Sequence, residues 1–76
     1  MIEGITIDAK IHHGEPVLFG TRVPVVRVLG SLGAGMSYGQ VASEYGISED
    51  QIKIAIRYAS TIIESERTYA TSISKA

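Results

Sequence analysis

The chain has 76 residues, no cysteine and a formal net charge of −1. This length predicts a single domain, and the missing cysteine excludes disulfides and thiolate zinc sites. Because phosphate affinity comes from clustered Lys and Arg, a nearly neutral chain without a basic tail is a poor nonspecific nucleic-acid binder as a monomer.

The segment MIEGITIDAK lacks the basic and apolar regions of a secretory signal. The most apolar stretch, residues 23–36, contains Arg27 and is too short to span a bilayer. We therefore expect a cytoplasmic protein with no membrane contact.

A β-arm is predicted first along the chain. Apolar residues alternate from Ile5 to Ile11, which is the period of a half-buried strand. A turn at residues 12–14 and a second short strand from Val17 to Phe19 then predict a hairpin or an arm. Two short strands are marginal alone in water, so the arm should pack on the rest of the protein.

The stretch GEPVLFGTRVPV, residues 14–25, leads from the arm into a helix. Glycine permits positive φ and proline fixes the helix entry angle, which favours a structural hinge. The alternative is a phosphate-binding loop, but Thr21 stands where a P-loop has its lysine. The hinge residues are predicted to be Gly14, Pro16, Gly20, Thr21 and Pro24.

Three helices are predicted after Pro24. The first starts at Val25, and Gly33 and Gly35 stop it. The capping-box sequences SYGQ (37–40) and SEDQ (48–51) begin the second and third helices, which should end near residue 45 and near residues 67–70. We predict a mainly α single domain, residues 1–76: β-arm and hinge 5–24, helical bundle 25–70, and tail 71–76.

The second and third helices have the spacing of a helix-turn-helix, with Ala42 at the helix crossing and Gly46 in the turn. Glu49 and Asp50 lie where base contacts would be made, although they suit a helix N-terminus. Any DNA contact is therefore expected to be weak, made with phosphates, or dependent on a basic partner. The candidate nucleic-acid contacts are Arg22, Arg27, Lys53 and Arg57. The alternative to a nucleic-acid contact at Arg22 is an ion pair with a helix carboxylate such as Glu44.

The third helix is predicted to be apolar over about 200° of its circumference. Ile52, Ile56, Ala59 and Ile63 form a core stripe, which Ala55 and Ile62 widen. Ile54 and Tyr58 extend the arc beyond what one core face requires, so we predict a homodimer or a protein partner on this side. The predicted interface residues are Ile54, Tyr58 and Ile62.

No catalytic, metal or cofactor site is predicted. His12 and His13 would point to opposite faces of a strand, and no carboxylate lies at a ligand-like spacing on the same element. No Ser/His/Asp spacing suggests a triad. A non-enzymatic binding module is therefore expected.

The order G-x-P-x-x-x-G-T-R-x-P-V at residues 14–25, followed by Ala34-Gly35-Met36-Ser37 and YGISEDQIKIAIRYA, resembles the domain of unknown function 433 family. The resemblance covers residues 5–64. It implies a homeodomain-like three-helix domain behind a short β-arm. The turn departs from the Y-P-x-L-T of many members, since this chain has Tyr45-Gly46-Ile47-Ser48.

Members of that family resemble VapB-type antitoxins, often encoded beside a PIN-like ribonuclease toxin. The resemblance thus implies an antitoxin-like component of a toxin–antitoxin pair that binds such a toxin. The alternative is a helix-turn-helix transcription regulator acting only through DNA.

Overall fold

The computed structural model describes the backbone of residues 3–74 and the side chains of residues 3–66. A two-stranded hairpin precedes three helices, as predicted. The strands are β1 (Ile5–Thr6) and β2 (Val17–Leu18), with a 3-10 turn at His12–Gly14 between them. The helices are α1 (Val25–Gly33), α2 (Tyr38–Tyr45) and α3 (Glu49–Ser74).

The hairpin is antiparallel, with Ile5 opposite Leu18 and Thr6 opposite Val17. An isolated bridge between Val17 and Pro24 brings the chain back beside β2 before α1 begins. β2 therefore lies between β1 and the start of α1, and both strands pack on α3. This packing supplies the burial that two short strands lack on their own.

The first strand is much shorter than the alternation of residues 5–11 predicted. The Asp8 carboxylate accepts a hydrogen bond from the Lys10 backbone N–H (2.8 Å), and the Asp8 carbonyl accepts one from Ile11. An Asp side chain that bonds its own backbone two residues on favours a turn over a ladder. The chain leaves the sheet here, and Ile7 is 62% exposed instead of half-buried.

Local capping determines where the helices begin, as predicted. The Ser37 hydroxyl accepts from the Gln40 N–H (3.1 Å) while the Ser37 N–H donates to the Gln40 side chain (2.8 Å). Ser48 and Gln51 repeat this reciprocal pair at the start of α3. The first box satisfies the backbone N–H groups of Ser37 and Gln40, and the second satisfies those of Ser48 and Gln51.

α2 and α3 are joined by residues 46–48. Gly46 has φ +66 and ends α2 in the left-handed region, where glycine carries no Cβ penalty. α1 is tied to α2 by a hydrogen bond between the Ser31 and Tyr45 hydroxyls (2.6 Å). The two short helices contact each other, and both pack on α3.

The core lies between the hairpin and the three helices. Leu18, Val28, Val41, Ile52 and Ala55 have no solvent exposure. They come from β2 and all three helices, so each element contributes to the same cluster.

α3 is longer than predicted and is much longer than the two helices that pack on it. It has 26 residues, against nine in α1 and eight in α2. At 1.5 Å per residue its length is about 39 Å, and the molecule measures 47 Å along its longest axis. The predicted tail at 71–76 overlaps this helix, which runs to Ser74; residues 75 and 76 lie outside the described residues.

Candidate protein-binding surface

An apolar groove lies where α1 crosses α3, and we call it the α1–α3 groove. Its volume is about 220 Å³. Residues 25–29 of α1 and residues 58–63 of α3 contribute to its walls, and residues 15 and 16 also line it. Its lining residues are Glu15, Pro16, Val25, Val26, Leu29, Tyr58, Ala59, Ile62 and Ile63.

Three large apolar side chains of this groove are exposed. Val26 is 66% exposed, Ile62 38% and Ile63 63%. Single exposed apolar residues are ordinary on proteins, but a contiguous set beside a groove marks a candidate interaction site. The groove is therefore the surface of the described residues on which we place protein binding.

Two residues predicted for the outer side of α3 are largely covered within the chain. Tyr58 is only 9% exposed and belongs to the core, and Ile54 is half-buried against it. The residue before β1 lies against Ile54, because a Cβ at Gly4 would lie 2.9 Å from Ile54 Cγ2. Among the predicted interface residues, Ile62 remains exposed, and homodimerisation stays a prediction without its original motivation.

Ile63 was placed in the core stripe by periodicity, yet the structure leaves it exposed. α1 lies beside Ile63 at the α1–α3 groove but does not cover it. The relative lengths of the predicted helices carried this signal, since neither a nine-residue nor an eight-residue helix can cover the whole of α3. Val26 was missed because it lies one position outside the core spacing of Val25, Val28 and Leu29.

The hinge residues hold the turn between β2 and α1. Gly20 has φ +77, and the Thr21 N–H donates to the Leu18 carbonyl (3.0 Å). The Thr21 hydroxyl also donates to that carbonyl (2.7 Å) and accepts from the Val23 N–H (3.0 Å). Pro24 is the N-cap of α1, one residue before the first helical position.

Gly20→Val is expected to lower stability by about 1–3 kcal/mol, because a β-branched residue is strained at positive φ. A Cβ at Gly20 meets nothing within 4 Å, so the cost is that of the backbone conformation alone. Arg22→Ala, two residues away at an exposed position, is expected to change stability by less than about 0.5 kcal/mol. Thermal melts of both variants measure the difference, and equal melting temperatures would contradict the role of Gly20.

The four candidate nucleic-acid contacts are all exposed, but only two are on one element. Lys53 and Arg57 lie one turn apart on α3, Arg27 lies on α1, and Arg22 lies in the hinge. Within the described side chains Arg22 forms no ion pair with Glu44, so that alternative is not realised. Glu49 and Asp50 are also exposed, in the first turn of α3.

His12 and His13 occupy left-handed backbone, with φ of +49 and +57, and Gly14 continues the turn at +86. Both imidazoles are exposed. No group of three or more His, Cys, Asp or Glu within the described residues has a metal-binding arrangement. A search of the same residues for a membrane-spanning helix finds no helix with sufficient length and hydropathy.

Comparison with known proteins gives the chain its relatives. It is 38% identical over 52 residues to a Mycobacterium tuberculosis protein named "Putative antitoxin VapB45". The aligned residues cover 68% of this chain and 22% of the relative. The crystal structure of Rv2018 from Mycobacterium tuberculosis superposes with a TM-score of 0.64 at 38% identity, over 68% of this chain and 24% of that one. The chain thus spans about a quarter of the length of these relatives.

The family comparison covers the hairpin, α1, α2 and the first part of α3. The model for the protein of unknown function family DUF433 matches residues 5–59, which extend from β1 to the middle of α3. That range contains residues 14–25, 34–37 and 45–59, the stretches from which the sequence resemblance was drawn. The chain therefore belongs to the DUF433 family.

Proposed function

We propose that this chain is a non-enzymatic, antitoxin-like binding module that sequesters a PIN-like ribonuclease toxin. The structural observation that carries the proposal is the α1–α3 groove with exposed Val26, Ile62 and Ile63. A protein partner that covers these side chains would remove their apolar surface from water, which is the main favourable term in protein association.

Similarity supports the antitoxin part of the proposal. The curated relative carries an antitoxin name and is 38% identical over 52 residues, 68% of this chain. Because the chain spans 22% of that relative, the partner is proposed here and not transferred with the name.

The test is co-expression of the chain with a PIN-like reading frame from the neighbouring gene. An affinity tag on the nuclease should recover both proteins, and added chain should inhibit RNA cleavage in proportion to complex formation. A catalytically active neighbour that neither retains the chain nor loses activity in its presence would contradict the proposal.

DNA binding through α2 and α3 is the second candidate function. The observation that favours it is the short connection between α2 and α3, with Gly46 at the end of α2 and exposed Lys53 and Arg57 on the following helix. Glu49 and Asp50 argue against DNA binding, because they place negative charge at the end of the helix that would enter the major groove of DNA. Because basic and acidic residues lie on the same helix, we expect the basic residues to contact DNA phosphates without reading the bases.

An electrophoretic shift with the upstream region of the gene tests the DNA hypothesis. The isolated chain should bind weakly, and binding should fall steeply as salt rises from about 50 to about 200 mM. Lys53→Ala and Arg57→Ala should each reduce the salt slope by roughly one unit. Tight, sequence-specific binding by the chain alone at about 150 mM salt would instead make the regulator the better function.

A further inference from the structure

We draw no further inference here: the strongest candidate, the apolar α1–α3 groove with exposed Val26, Ile62 and Ile63, carries none beyond the proposed function, because nothing in the described part of the chain shows what covers it.

Discussion

Leu18→Ala is expected to lower the free energy of unfolding by about 2–5 kcal/mol, the usual cost of truncating a fully buried leucine. Leu18 has no solvent exposure and packs where the hairpin meets the helical core. A chain of 76 residues has a total stability of roughly 4–11 kcal/mol. The loss is therefore a large part of the whole, and the variant should melt at a much lower temperature.

Urea unfolding followed by circular dichroism measures this change. Phe19→Ala is the matched control, because Phe19 is the next residue, is larger, and is 70% exposed. Its unfolding free energy should stay within about 0.5 kcal/mol of the parent value. A small effect at Leu18 would mean that the hairpin does not pack on the helices as described.

Gly4→Ala is expected to be the second large loss, from two separate causes. Gly4 has φ +85, where an L side chain costs about 1–3 kcal/mol. The added Cβ would also lie 2.9 Å from Ile54 Cγ2 and 3.0 Å from Ile54 Cδ1. Overpacking of this kind typically costs a further 1–3 kcal/mol or so.

A double-mutant cycle with Ile54→Ala separates the two causes. In the Ile54→Ala background the steric conflict is gone, so Gly4→Ala should cost about 1–3 kcal/mol less than in the parent. Gly20→Ala is the control, since Gly20 has a similar φ of +77 and no atom within 4 Å of its Cβ. Its cost should be equal in both backgrounds. Equal costs for Gly4→Ala as well would show that β1 does not lie on Ile54.

Some features of the candidate site can be predicted from the sequence, and others appear only in the tertiary structure. The hinge motif and the exposed basic residues can be recognised in the sequence, because turn chemistry and charge are properties of single residues. The groove cannot, because Val26 on α1 and Ile63 on α3 meet only when the helices cross. Apolar periodicity identifies which residues avoid water, but it does not say which neighbour covers them or where that cover ends.

The sequence by itself determined the elements whose interactions are local. Ser37 with Gln40 and Ser48 with Gln51 complete their hydrogen bonds within four residues, so no distant part of the chain is needed to start α2 and α3. The tertiary structure alone decided which apolar side chains are buried and which are exposed. Tyr58 is buried in the cluster to which the hairpin and all three helices contribute, whereas Ile63, five residues further along α3, stays in solvent. Burial depends on contacts between elements far apart in the chain, and helical spacing contains no record of them.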